Sequence, residues 1–368
     1  MSEGPLLVIA AGGTGGHMFP AEALARAMLA RGWRVMLTTD GRGARYAKGF
    51  PAEVPRVELA AATLAQGGLL AKLRAPFRVL AGAREARARF REDRPAVVAG
   101  FGGYPSLPAL LAAWRMGLPR LIHEQNGVLG RVNRLFAARV DRVVCGTWPL
   151  ERAPEGAHVL HLGNPVRAEI AERAGKTYMP PRAGALLHVL VMGGSQGARV
   201  LSRYVPRAMA SLDQDVRQRL RVVHQAREED LAEAADVYEE AGIRVEIAPF
   251  FEDIPSRLAR AHLVISRAGA SSVAEIAAMA RPAILIPYAH ALDDHQRANA
   301  AALELIGGAV VMPEGQLTRE KLASRIQTIL TDPDKAEAMS RYAAEAAHPN
   351  ATADLADLVE TLGTGGAR

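Results

Sequence analysis

Residues 6–17 read Leu6-Leu7-Val8-Ile9-Ala10-Ala11-Gly12-Gly13-Thr14-Gly15-Gly16-His17, an apolar run that ends in a glycine cluster. The run has no polar alternation, so it predicts a strand buried on both faces. A helical stretch follows. A glycine turn between a strand and a helix aims free N–H groups and the positive end of the helix dipole at one point, which makes an anion site. The alternative is a turn whose glycines only tighten the corner. The same pattern recurs half a chain later, where 189–192 lead into Gly193-Gly194-Ser195-Gln196-Gly197.

Working outward, apolar β-type runs alternate with helical stretches along the whole chain. The first half offers strands at 6–11, 33–38, 96–100, 119–123, 141–145 and 157–162. The second offers 187–192, 220–224, 243–248, 262–266, 283–287 and 308–312. Buried strands joined by helical crossovers predict parallel sheets covered on both faces. The repeat predicts two doubly wound domains. The break falls near 176–185, which holds Pro180, Pro181 and Gly184 and has no clear periodicity.

Composition narrows the class. Of 368 residues, 23% are charged and 49% hydrophobic, which excludes a disordered chain or a coiled coil. Cys145 is the only cysteine, so no intrachain disulfide can form. It lies in an apolar run and is expected in the core. No apolar stretch is long enough to span a bilayer uninterrupted, and the N-terminus lacks the basic region of a signal peptide. The net charge is +6, and residues 64–94 hold eight basic residues against three acids, which accounts for five of those charges. Leu69, Leu70, Leu73, Phe77 and Leu80 recur there at helical spacing. A cationic helix with an apolar stripe suits an anionic membrane surface, where each basic residue is worth about 1 kcal/mol. A crossover helix with its stripe in the core is the competing reading. Aromatics are 5% of the chain, so no stacking platform for nucleic acid is visible.

In a doubly wound sheet, ligands bind beyond the carboxyl ends of the strands. Polar clusters follow the predicted strands: Gly102-Gly103-Tyr104, His123-Glu124-Gln125-Asn126, Phe250-Phe251-Glu252-Asp253, residues 266–272 with Glu275, and residues 290–296 with Asn299. They are expected to line a cleft between the domains. His17 opens a helix whose dipole disfavours imidazolium, which suits a neutral general base and equally a capping histidine. Glu275 can accept two hydrogen bonds from a ribose diol, or serve as a first-turn acid. Neither glycine turn is followed by the Lys-Ser/Thr of a P-loop, and Met18 stands where a dinucleotide fingerprint needs a third glycine. Asp40, at the end of the next strand, keeps a dinucleotide enzyme open as an alternative. No histidine has metal-site spacing. Asp213-Gln214-Asp215 and Asp332-Pro333-Asp334 read as helix caps, so no metal and no cofactor are expected.

Taken in order, residues 11–17, Gly102-Gly103-Tyr104, residues 123–126, Gly163-Asn164-Pro165-Val166-Arg167, residues 193–197 and Asp294-His295-Gln296 resemble the MurG family of undecaprenyl-diphospho-muramoylpentapeptide β-N-acetylglucosaminyltransferases. The resemblance implies a GT-B fold: two Rossmann-like domains with a cleft between them. It divides the chain into an acceptor and membrane-facing domain at 1–167, a linker at 168–185 and a UDP-GlcNAc domain at 186–340. A last helix, about 345–362, would return to the first domain. It implies inverting transfer of GlcNAc from UDP-GlcNAc to the C4 hydroxyl of MurNAc in undecaprenyl-linked lipid I, giving lipid II and UDP. The enzyme would sit peripherally on the cytoplasmic side of the inner membrane, with residues 64–94 on the anionic surface. By motif, Thr14, Gly15, Gly16, Asn126, Arg167, Ser195 and Gln296 would contact the sugar nucleotide. Phe251, Ala270, Ser271, Ser272, Val273, Ala274 and Glu275 would line the uridine pocket, and His17 would be the base. Other classes fit parts of the pattern: a non-catalytic sugar-nucleotide binder, or a UDP-sugar epimerase, which needs no lipid.

Overall fold

The apolar runs form parallel strands, and their lack of alternation has a direct cause: helices cover both faces of each sheet. The structure, a computed structural model, describes residues 4–365 except 14, 42, 44–46, 62–68, 176 and 195–196, and only the backbone at 48 and 69–74. The first sheet contains β1 (Leu6–Ala10), β2 (Arg34–Thr39), β3 (Arg56–Glu58), β4 (Val97–Gly100), β5 (Arg120–Glu124), β6 (Arg142–Cys145) and β7 (Val159–His161), in the order β3-β2-β1-β4-β5-β6-β7. The second contains β8 (Leu187–Met192), β9 (Leu220–Gln225), β10 (Arg244–Ala248), β11 (Leu263–Ser266), β12 (Ala283–Leu285) and β13 (Ala309–Val311), in the order β10-β9-β8-β11-β12-β13. All pairings are parallel. Both are doubly wound Rossmann-like sheets. In each, the strand order reverses beside the strand that carries a glycine turn: between β1 and β4, and between β8 and β11. Ligands bind doubly wound sheets at this point.

Two compact units result. One runs to Arg167 and takes up the chain again from Asn350; the other is Ala168–Pro349. Residues 168–185, expected as a linker, are counted with the second unit. Ile170 lies in a short helix, Ala168–Ala171, and is fully buried; Tyr178 joins the second core. The last helix, Ala351–Gly363, packs in the first unit. Leu355, Ala356, Val359 and Leu362 recur at helical spacing and enter the core with Leu7, Ile9, Met28 and Trp33. Arg31 ties the same helix down, donating to Asp357 at 2.6 Å and Glu360 at 2.8 Å.

The basic segment differs from its expected form. Its helix, Leu69–Glu92, buries Ala75, Ala83, Ala86 and Phe90, while Phe77 is 74% exposed. Among the described side chains alanines and Phe90 face the core, and Phe77 of the expected stripe does not. The side chains of Leu69, Leu70, Leu73, Lys72 and Arg74, and all of residues 64–68, lie outside those described. Strand β3 was not expected; it is three residues long and only Val57 is buried. Asp332 caps its helix as expected, accepting from the Lys335 N–H at 3.0 Å. Asp213 stands at a helix start without a side-chain cap, its carboxylate accepting instead from Gln327. Cys145 is buried, its thiol pushed up to about 12 by desolvation.

Candidate active site

In the first unit the chain leaves β1 through Gly12 and Gly13 and enters the helix Gly15–Ala30, which carries His17 in its first turn. The loop after β4 is set against this turn. Gly102 and Gly103 have φ of +88° and +72°, a region that side chains rarely adopt. A methyl on Gly102 would lie 3.3 Å from the His17 ring, and one on Gly103 would lie 3.2 Å from the Gly12 carbonyl oxygen. Glycine therefore lets main chain pack against the imidazole. Asp40 closes the corner: its carboxylate accepts from the Tyr104 hydroxyl at 2.6 Å and the Gly43 N–H at 2.9 Å. The acid that a dinucleotide enzyme would reserve for ribose is engaged within the fold, which argues against that alternative.

The loop after β5 is built on a buried carboxylate. Glu124 accepts from the Asn126 N–H at 3.1 Å, Asn126 Nδ2 at 3.0 Å, the Gly130 N–H at 2.9 Å and Asn133 Nδ2 at 2.8 Å. Asn126 is thus fixed through both main chain and side chain. Gln125, its neighbour, is buried and lies with Oε1 2.7 Å from His17 Nδ1. The Gln125 carbonyl accepts from Asn164 Nδ2 at 2.9 Å and Thr147 Oγ1 at 3.1 Å. His123 Nε2 lies 3.2 Å from the Gly163 oxygen. Burial lowers the His123 imidazole to about 4, so it is neutral near pH 7. The stretch from Gly163 to Arg167 therefore supports the 123–126 loop, and Arg167 itself places its guanidinium 5.9 Å from the Phe19 ring. Gly15 is buried against Phe19 and Gly16 is exposed.

In the second unit the helix Ala270–Ala278 begins just beyond β11, with Gly269 as its cap residue. Ala270 and Glu275 are buried; Ser271, Ser272, Val273 and Ala274 are half-buried. Among the described residues the enclosed Ser271 hydroxyl has no hydrogen-bond partner. Arg267 braces the surrounding loops. It donates to the Ile286 oxygen at 3.1 Å and the Pro287 oxygen at 3.3 Å, pairs with Glu314, and lies 5.2 Å from the Tyr288 ring. Asn299 Nδ2 donates to the Ala268 oxygen at 3.0 Å, and Gln296 Oε1 accepts from the Tyr288 N–H at 2.9 Å. Gln296 is thereby tied to the loop after β12.

Several expected residues stand differently. Phe251 is buried, with the Arg257 guanidinium 4.4 Å from its ring centre. That arginine also pairs with Glu246 and Asp253, which raises its pKa. Phe250, not singled out from sequence, is 70% exposed at the same strand end. The doublet Phe250-Phe251 was visible, but only burial tells the enclosed ring from the exposed one. Gln125 was likewise part of a noted cluster, with no local signal for its bond to a residue 108 positions away. Thr14 and Ser195 lie outside the described residues. Among the described residues no group of three His, Cys, Asp or Glu side chains is arranged to hold a metal ion.

Comparison with known proteins agrees over the length of the chain. Residues 7–145 match the glycosyltransferase family 28 N-terminal domain, and residues 188–357 the C-terminal domain of the same family. The chain is 52% identical over 359 residues to a UDP-N-acetylglucosamine–N-acetylmuramyl-(pentapeptide) pyrophosphoryl-undecaprenol N-acetylglucosamine transferase of Caulobacter vibrioides, spanning 96% of this chain and 98% of that one. It is 48% identical over 369 residues to the transferase of the same name from Rhodospirillum centenum, spanning 100% and 96%. The crystal structure of Acinetobacter baumannii MurG superposes with a TM-score of 0.79 at 29% identity, covering 97% of this chain and 99% of that one. A kitacinnamycin glycosyltransferase, at TM-score 0.70 and 19% identity over 98% and 99%, shares the fold. The chain belongs to glycosyltransferase family 28, and within it to the MurG group of N-acetylglucosaminyltransferases.

Proposed function

We propose that this enzyme moves GlcNAc from UDP-GlcNAc to the C4 hydroxyl of MurNAc in undecaprenyl-linked lipid I, with inversion, giving lipid II and UDP. The observation that carries the choice of substrates is the 52% identity, over 96% of the chain, to a transferase named for that reaction. The unit that holds β1–β7 and the last helix takes the acceptor; residues 186–340 take the nucleotide sugar.

The chemistry follows from the residues. The acceptor hydroxyl attacks C1 of the donor while His17 removes its proton. The bond from C1 to the diphosphate oxygen breaks, and the electron pair leaves with UDP. One displacement converts an α-linked donor into a β-linked product. UDP is a good leaving group once its charge is held, so oriented N–H groups and a guanidinium supply the stabilisation. Gly15, Gly16, Arg167, Thr14 and Ser195 are assigned to that task, and Asn126 and Gln296 to the sugar. Glu275 binds the ribose diol, and Ala270 to Ala274 with Phe251 form the wall of the uridine site.

Membrane contact belongs to the first unit. Phe77, Trp114 and Leu135 are exposed, and Arg139 lays its guanidinium 5.6 Å from the Trp114 ring centre. The helix Leu69–Glu92 packs on the helix Leu107–Arg115 that carries Trp114. Apolar side chains among arginines suit an anionic lipid surface. No helix among the described residues is long and apolar enough to cross a membrane. In this reading the enzyme attaches peripherally to the cytoplasmic face of the inner membrane.

The test is incubation with labelled UDP-GlcNAc, with and without a lipid I analogue, following UDP release. Release that requires the acceptor and yields a disaccharide is expected. Release without acceptor would favour an epimerase or hydrolase, and binding without release would favour a regulatory sugar-nucleotide binder.

A further inference from the structure

We propose that Gln125 is a positioning residue for the base: its side-chain amide, held between His17 and His123, fixes His17 in the tautomer protonated at Nδ1 and leaves Nε2 to take the acceptor's proton. The inference deepens the transfer reaction proposed above and rests on it for the role of His17, but the tautomer itself stands on the hydrogen-bond geometry.

The amide has two possible orientations, and main-chain carbonyls decide between them. Gln125 Nε2 lies 3.0 Å from the His123 carbonyl oxygen, which can only accept. A half-turn of the amide would set Oε1 against that oxygen, two acceptors in contact inside the protein. The NH₂ group therefore faces His123. The second N–H points at His123 Nδ1, 3.1 Å away. That nitrogen must be the unprotonated one, because His123 Nε2 faces the Gly163 carbonyl at 3.2 Å and has to donate to it. Both constraints agree, and both originate in carbonyls that cannot reverse roles. The remaining atom, Oε1, points at His17 Nδ1 at 2.7 Å, so that nitrogen carries the hydrogen. Burial of His123 keeps it neutral and its Nδ1 lone pair available.

The rest of the loop holds this chain of bonds in place. Asn164 and Thr147 grip the Gln125 carbonyl from two sides, and Glu124 fixes the turn that follows. The His17 ring leaves no room for a side chain on Gly102, where a methyl would lie 3.3 Å from its Cε1. When Nε2 accepts the proton from the hydroxyl, Nδ1–H keeps donating to Oε1, so no proton passes along the chain. An amide adds no charge. Gln125 orients the base and selects its reactive nitrogen, and does not stabilise imidazolium as a carboxylate would.

Two measurements test this. The first uses protein with ¹⁵N-labelled histidine near neutral pH, reading ring ¹⁵N–¹H correlations assigned by their loss in His17→Ala. A proton on His17 Nδ1 is expected; a proton on Nε2 overturns the proposal. This result is independent of the acceptor, so it stands even if lipid I analogues prove not to be substrates. The second compares Gln125→Met in the wild-type and His17→Ala backgrounds. In the wild type, kcat should fall about tenfold or more, within the about 10²–10⁴ that a general base supplies, with KM for UDP-GlcNAc unchanged. In the His17→Ala background the same substitution should cost nothing further. An equal loss in both backgrounds means that Gln125 acts through the fold, which overturns the proposal. If Gln125→Met does not fold, the wild-type spectrum decides alone.

Discussion

The two glycine turns begin alike and are closed differently. Residues 11–14 separate β1 from its helix, whereas residues 193–198 separate β8 from the helix Arg199–Ala210. A methyl on Gly193 would lie 2.5 Å from the Ala198 nitrogen and 2.6 Å from the Gly197 carbonyl carbon, so at this residue the second turn closes on its own main chain. A methyl on Gly12 would lie 2.7 Å from Pro105 and 2.9 Å from Asp40 Oδ1, side chains brought in from other loops. At Gly12 the first turn is therefore joined to side chains from neighbouring loops, whereas the second closes on its own main chain at Gly193 and meets another loop only at Gly197, where a methyl would lie 2.8 Å from Arg227 Cγ. In the function proposed here one supersecondary unit serves two tasks: the first turn locates a base among neighbouring loops, and the second is assigned to the diphosphate.

The largest expected effect tests the first half of that contrast. His17→Ala should lower kcat by about 10²–10⁴ while leaving UDP-GlcNAc binding intact; a loss below about tenfold would remove His17 from the base role. Next, Glu275→Gln should weaken UDP-GlcNAc binding by about 1.5–3 kcal/mol, the scale of a hydrogen bond to a charged group. Titration calorimetry that showed unchanged nucleotide affinity but weaker acceptor binding would assign the nucleotide to the wrong unit. Stability should separate the turns. Gly12→Ala is expected to cost about 1–3 kcal/mol, because Pro105 and Asp40 can shift, and Gly193→Ala more, because main chain cannot. Urea denaturation showing the reverse order would contradict the distinction.

The smallest effect concerns two buried histidines, one in each unit. Burial depresses His123 to about 4 and His224 to about 3, below the ordinary value of 6.5. The unfolded chain therefore takes up protons first as pH falls. Stability is full above about pH 6.5 and is lost on acidification, by about 1.4 kcal/mol per pH unit for each histidine, until its folded pKa is reached. His224 donates to or accepts from the Tyr238 hydroxyl at 3.0 Å, and its Nε2 has no partner among the described residues. His123 is bonded at both nitrogens. Replacing His224 with Leu should flatten the acid limb without changing kcat, whereas His123→Leu should flatten it and lower kcat as well. Equal kinetic effects of the two would erase the difference drawn here.

Much of this was legible in the chain. Apolar runs located twelve strands: the central ones are buried on both faces, while the edge strands β7 and β10 are only partly buried, and the paired glycine clusters marked both switch points. Strand β3 escaped because a single buried side chain, Val57, leaves no pattern. The core-facing side of the basic helix was hidden because alanines form much of it, while Phe77 points outward. In the candidate site, motifs gave the participants and not their connections. Tyr104 meets Asp40 across 64 positions and His17 meets Gln125 across 108, and such contacts depend on the completed sheet.

The central claim is that a base on the first unit drives a single displacement on a nucleotide sugar held by the second. The stereochemistry of the product tests it most directly. When a soluble lipid I analogue is glycosylated from UDP-GlcNAc and the disaccharide is examined by NMR, the new linkage should be β to C4 of MurNAc. An α linkage would require two displacements or front-face attack and would contradict the account.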